Sequence, residues 1–291
     1  AVCGLLLCPY YLWLSSHFYT DIIASFFVFV GFLLYIRSLN IFSSIAFILA
    51  IASRQYMLVF PVSLLVFEVF NALRNKVAIS HKNAAKSQLK QNNAIISTRL
   101  LMPLIASLSI LGWFLLFNGV APQSGLAQSN TPEIQQSLFA VAPEGSLYFL
   151  ACVGLYFVIP ELCLFHTGIF FRLNIEIRKI FTLKNCLLAF VLLILFAIFP
   201  PLQTWGILTN VAKILPNDLL KLALYYVLAL IAFIRFSKIN IAFWILLVNC
   251  GLMMKAFPWD KYILPLLVVF WYLKSINSLH QETPDGLTSA K

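Results

Sequence analysis

The feature that most constrains this chain is a succession of apolar runs, each closed by a basic residue or a short polar break. Ile22 to Ile36 ends at Arg37, Ile41 to Ser53 at Arg54-Gln55, and Tyr56 to Leu73 at Arg74. Apolar runs of about 20 residues suit a hydrocarbon core about 30 Å thick, in which a helix satisfies its own backbone. The chain is 62% hydrophobic and 10% charged, with a mean hydropathy of +0.92, far from an ordinary soluble domain. The expected fold is all-α, a polytopic transmembrane helical bundle of about nine or ten spans. It would occupy residues 1–276, with a polar cytoplasmic tail over 277–291.

The net charge of +10 does not point to nucleic acid, because the basic residues gather in short connections instead of forming a stripe. Membrane topology explains them. The connection from Arg74 to Arg99 carries six basic residues and no acidic one, which makes it cytoplasmic under the positive-inside bias. Simple alternation of the spans then puts 166–185 and the Arg235 to Lys238 turn on the same inner side. It puts 121–146, 200–218 and the 258–261 turn outside. Asp21, Arg54 and the segment from Lys255 to Lys261 all fall at the outer face, where they are expected to converge on one pocket.

The six cysteines are scattered through apolar runs without paired spacing and read as small hydrophobes. Ala1-Val2-Cys3 opens without a basic n-region or cleavage site, so it is not a signal peptide. An apolar helix already under way there suggests a piece of a longer chain. No phosphate-binding glycine loop, dinucleotide fingerprint, HExxH or nucleophile elbow is present, and no metal site is expected.

Three polar breaks carry the candidate chemistry. Asp21 closes His17-Phe18-Tyr19-Thr20-Asp21; it complements the positive end of a helix under an interfacial aromatic belt, or it stands at the mouth of a polar cavity. Arg54-Gln55 follows the run from Ile41 to Ser53, which covers only about 20 Å at ~1.5 Å per residue. Its guanidinium either snorkels or presents a planar fork to phosphate oxygens. Lys255 and Pro258-Trp259-Asp260-Lys261-Tyr262 form the last break. Trp259 and Tyr262 fit an aromatic belt, yet two lysines on an outer turn run against the positive-inside bias and would suit a lipid-linked anion. Glu68 and Glu161, near inner span ends, are expected to snorkel or to pair with loop lysines, and the histidines receive no role.

Pro9-Tyr10-Tyr11-Leu12, Phe18-Tyr19-Thr20-Asp21, the short span closing on Arg54-Gln55, Phe117-Asn118-Gly119, and Lys255 through Pro265 with its Ile263-Leu264-Pro265 ending resemble motifs of a known family. In order and spacing the chain resembles the GT-C superfamily of multi-spanning glycosyltransferases that use polyprenyl-phosphate-linked sugars. Within it, the chain is most similar to the alpha-1,2-glucosyltransferases that add the terminal glucose to the dolichol-linked N-glycan precursor.

The resemblance implies a GT-C-like fold and transfer of a sugar, with inversion, from a polyprenyl-phosphate (dolichyl-phosphate) donor to a lipid- or polymer-linked glycan acceptor. It implies a multi-pass protein of a prokaryotic cytoplasmic membrane or the endoplasmic reticulum membrane, active at the extracytoplasmic or lumenal face. Membrane lipids are partners, nucleic acid is not, and no cofactor is needed beyond the lipid-linked donor. Arg54, Lys255 and Lys261 would bind the donor phosphate, Asp21 and Asp260 would be catalytic, and Gln55, Trp259 and Tyr262 would line the pocket. Two departures accompany it. The acidic motif of the family's first outer loop would lie upstream of Ala1, so an N-terminally truncated sequence is expected. The polar motif of a late outer loop has no counterpart between Pro200 and Asp218, which leaves the sugar and the acceptor open. The alternative is a polytopic transporter or lipid flippase.

Overall fold

A computed structural model describes residues 2–16, 20–80, 98–117, 141–165 and 183–279. Residues 81–97, 118–140, 166–182 and 280–291, which hold most of the expected connections over 74–99, 121–146 and 166–185 and of the tail over 277–291, lie outside the described residues. So do His17, Phe18, Tyr19, Asn118 and Gly119. Among the described residues the structure is all-helical apart from an isolated bridge between Trp205 and Trp259. Among the described residues three helices are long and apolar enough to cross a membrane: Gln55–Arg74, Thr98–Phe117 and Pro143–Phe165. Shorter apolar helices cover Thr20–Ile36, Asn40–Ser53, Asn185–Ile198 and Ile241–Met253.

In chain order the helices are α1 (Val2–Leu6), α2 (Pro9–Ser16), α3 (Thr20–Ile36), α4 (Asn40–Ser53) and α5 (Val59–Ser80). Then follow α6 (Thr98–Phe117) and α7 (Pro143–Phe165). The last are α8 (Leu183–Ile198), α9 (Ile207–Ala212), α10 (Asp218–Arg235), α11 (Ile241–Met253) and α12 (Leu264–Ser275). They gather into two compact units, each discontinuous in sequence. One comprises Ala1–Trp13, Ser129–Lys238 and Cys250–Trp271, the other Leu14–Gln128, Ile239–Asn249 and Tyr272–Lys291.

The second unit is built on the α3–α4 hairpin, which turns at Ser38 with a positive φ of 61°. Gly31 lets the two helices close up: a Cβ there would lie 2.8 Å from the Phe47 ring, and the Ser43 hydroxyl donates to the Gly31 carbonyl at 2.8 Å. Phe32 packs edge-on against Phe47 and Phe60, the preferred geometry for ring quadrupoles. The chain breaks after Ser53 because Arg54 is extended (φ −153°, ψ 119°). A short 3₁₀ turn over Gln55–Leu58 then leads into α5, so the two helices join with almost no loop, as the sequence suggested. Deep in this unit the Tyr35 hydroxyl donates to Glu68, so Glu68 is buried against a tyrosine and does not snorkel.

In the first unit α7 carries a π-helical turn over Gly154–Val158. Pro160 explains it: the ring lacks an N–H and crowds the carbonyl four residues back, so the turn before it widens, and the Ile159 amide reaches Gly154. Gly154 also permits close approach of α10, since a Cβ there would meet the Leu228 carbonyl oxygen at 2.1 Å. Asn217 caps α10, its side chain accepting from the Leu220 amide at 2.9 Å, and satisfies a donor that the first helical turn would leave open. At the far end of α10, Arg235 clasps Glu161 of α7 through Nε and Nη2, both at 2.8 Å. Glu161 therefore pairs within the fold with this arginine.

Candidate functional site

The site in the first unit starts from a buried carboxylate. Asp260 opens a 3₁₀ turn over Asp260–Ile263, between α11 and α12. It has no exposed surface. Its Oδ1 accepts from the Tyr10 hydroxyl of α2 at 2.5 Å, and its Oδ2 from the Tyr156 hydroxyl at 2.9 Å and the Leu208 amide at 3.1 Å. Tyr156 comes from the π turn of α7 and Leu208 from the start of α9. Short charge-assisted bonds of this kind are the strong ones. The Tyr10 oxygen in turn accepts from the Ile207 amide at 3.1 Å, so one carboxylate ties four segments together.

The same knot fixes a pair of tryptophans. The Trp205 amide donates to the Pro258 carbonyl at 2.9 Å, and the Asp260 amide returns to the Trp205 carbonyl at 3.4 Å. The Tyr148 hydroxyl reaches that carbonyl at 3.1 Å. Between Trp205 and α9 the chain passes through Gly206 at φ 119°, ψ −168°, a region essentially reserved for glycine. The Trp205 ring stands edge-to-face with Phe257 and with Trp259, centroids 5.4 and 6.0 Å apart. The Lys261 ammonium lies 3.5 Å from the Trp259 ring centroid, a cation–π contact covering one face of that ring.

These rings wall a cavity of about 950 Å³. Trp205, Phe257, Trp259 and Tyr262 supply its aromatic side, while Glu144, Lys213, Asp218 and Lys221 supply its charge. Its polar floor is a chain of hydroxyls: Thr204 lies 2.8 Å from Thr209 and 3.3 Å from Tyr225, and Thr209 lies 2.9 Å from Tyr148. Asp218 is paired with Lys221 at 2.8 Å.

In the second unit Asp21 and Arg54 come together. Arg54 Nη2 donates to Asp21 Oδ2 at 3.1 Å, and the Tyr56 hydroxyl donates to Oδ1 at 2.6 Å. Asp21 is 4% exposed, whereas the Arg54 side chain keeps 38% and its Nε is buried without a hydrogen-bond partner among the described residues. Gln55 follows in the 3₁₀ turn.

The expected site residues thus divide between the units: Asp21, Arg54 and Gln55 in one, Lys255 and Trp259 to Tyr262 in the other. Trp259 and Tyr262 line the cavity; Lys255, Asp260 and Lys261 do not belong to its lining. Asp260, expected to be catalytic, has no exposed surface, and both of its oxygens accept hydrogen bonds from within the fold. Sequence reasoning missed Trp205, Glu144, Lys213 and Lys221. A signal existed for the lysines, which sit on or just beyond an expected outer loop against the same charge bias that singled out Lys255 and Lys261. Comparison with protein-family models, with curated proteins and with solved structures finds no match.

Burial pushes the Asp260 carboxyl above its ordinary range, outweighing the hydrogen bonds from Tyr10, Leu208 and Tyr156 that favour the charged form. The folded pKa therefore lies above the unfolded value of about 3.9. Its contribution to stability is complete below that unfolded value and is lost as pH rises through the folded one. Thermal unfolding in detergent across acidic pH should show wild type losing stability over this window relative to Asp260→Asn. Parallel pH curves for the two proteins would contradict the assignment.

Proposed function

We propose that this chain is a GT-C-type integral membrane glycosyltransferase with about nine or ten spans. It transfers a hexose, with inversion, from a polyprenyl-phosphate donor to a hydroxyl of a lipid- or polymer-linked acceptor at the extracytoplasmic or lumenal face. The observation that carries this reading is the cavity of the first unit, where aromatic rings, hydroxyls and an accessible carboxylate meet on the connections between apolar helices. Sugar rings offer C–H faces to aromatic rings and hydroxyls to donors and acceptors of either sense.

In the reaction the acceptor oxygen forms a bond to the anomeric carbon while the bond from that carbon to the phosphate oxygen breaks, its electron pair leaving with the phosphate. The acceptor proton passes to a base. Asp21, given a catalytic role by the resemblance, has its oxygens taken by Arg54 and Tyr56. Glu144, in the first turn of α7, is the better candidate because it reaches the cavity.

The test is transfer of radiolabelled hexose from polyprenyl-phosphate hexose in proteoliposomes. Glu144→Gln should lower kcat by about 10²-fold in protein that purifies and melts as wild type does. Full activity in this variant would reject that role. Movement of the donor lipid across the bilayer without sugar transfer would reject the enzyme in favour of a flippase.

A further inference from the structure

We propose that the cavity of the first unit is the subsite for the uncharged, hydroxyl-rich saccharide end of the acceptor, stacked on Trp205, and that the phosphorylated donor binds elsewhere. The assignment of that saccharide to an acceptor rests on the glycosyltransferase reading; saccharide binding itself rests on the cavity.

Three observations lead there. The charged lining balances: Glu144 and Asp218 oppose Lys213 and Lys221, and the Lys221–Asp218 pair is already formed at 2.8 Å. Nothing in that wall favours a net anion, as a donor phosphate would require. The floor is hydroxyls, Thr204, Thr209 and Tyr225 in one hydrogen-bonded chain. Each can donate or accept, which matches sugar hydroxyls and makes no demand for charge. Finally, Trp205 is 61% exposed although its backbone is pinned by Pro258, Asp260 and Tyr148. A large ring held out on an immobile backbone is a preorganised platform, losing little freedom when a ligand stacks on it. The volume, about 950 Å³, lies near the top of the ~300–1,000 Å³ range of ligand pockets. It therefore suits an oligosaccharide end better than the single ring a donor brings.

An interfacial belt tryptophan would also be exposed, and the test separates the two. The full chain in lipid nanodiscs is titrated with linear glucose and mannose trisaccharides, with inorganic phosphate and with a short-chain polyprenyl-phosphate hexose, read by tryptophan fluorescence and saturation-transfer NMR. A neutral trisaccharide should bind and inorganic phosphate should not displace it. Trp205→Ala should raise the trisaccharide Kd about tenfold, and Trp205→Phe should return it to within about threefold of wild type. In transfer assays Trp205→Ala should raise KM for the acceptor and leave KM for the donor unchanged. Displacement by phosphate, failure of every trisaccharide to bind, unchanged affinity in Trp205→Ala, or a KM rise confined to the donor overturns the proposal. Trisaccharide binding through Trp205 with no transfer activity removes the glycosyltransferase reading and leaves the saccharide site standing. Transfer with an unaltered acceptor KM in Trp205→Ala does the reverse.

Discussion

Gly206→Ala should undo the knot around Asp260. The backbone at Gly206 has φ 119° and ψ −168°, where an L side chain costs on the order of 1–3 kcal/mol in strain alone. Space is the harder obstacle, for a Cβ there would fall 1.7 Å from Asp260 Oδ1. The carboxylate would have to move away from Tyr10, Tyr156 and Leu208, and each hydrogen bond to a charged group contributes about 1.5–3 kcal/mol. The combined loss is expected to be about 5 kcal/mol, comparable to the whole stability of many domains. It should appear as a large drop in the midpoint of thermal unfolding followed by tryptophan fluorescence in detergent. A variant melting within about 1 kcal/mol of wild type would mean that the segment relaxes freely and that Asp260 does not organise it.

Arg235→Ala should be the next most damaging change. Glu161 is 3% exposed, and both of its oxygens are held by the Arg235 guanidinium at 2.8 Å. Removing the cation leaves a carboxylate buried between α7 and α10 without its counter-charge, which costs about 3–5 kcal/mol in comparable pairs. The test is a double-mutant cycle. Glu161→Leu in the Arg235→Ala background should recover most of the loss, because a hydrophobic residue of similar volume fills the site without needing a partner. If the two changes are simply additive, the pair is not coupled and another group must satisfy Glu161.

Much of the helical framework was legible in the apolar runs. The break at Arg54-Gln55 could be placed to the residue, because a charge interrupting an apolar run marks a helix end or a polar niche, and the structure turns there without a loop. Asp21 and Arg54 were each singled out from the sequence, and the structure joins them directly. The burial of Asp260 was not legible in the sequence. A carboxylate between Trp259 and Lys261 on a turn looks accessible, and the donors that bury it lie 250, 104 and 52 positions away. Trp205 was not singled out from the sequence, where a lone tryptophan near a membrane surface carries no special signal. Its value as a platform comes from a backbone held by Tyr148 and Pro258, which no local pattern announces.

By itself the sequence determined that this chain is helical and apolar enough to enter a membrane, and where its longest helices are interrupted. Those properties follow from local chemistry, since a backbone in hydrocarbon must satisfy its own hydrogen bonds and each charge or proline disturbs the run it falls in. Only the tertiary structure decided which charges are spent inside the fold and which face a cavity. A carboxylate's role depends on the donors that surround it, and for Asp260 and Glu161 those donors arrive from remote segments through packing.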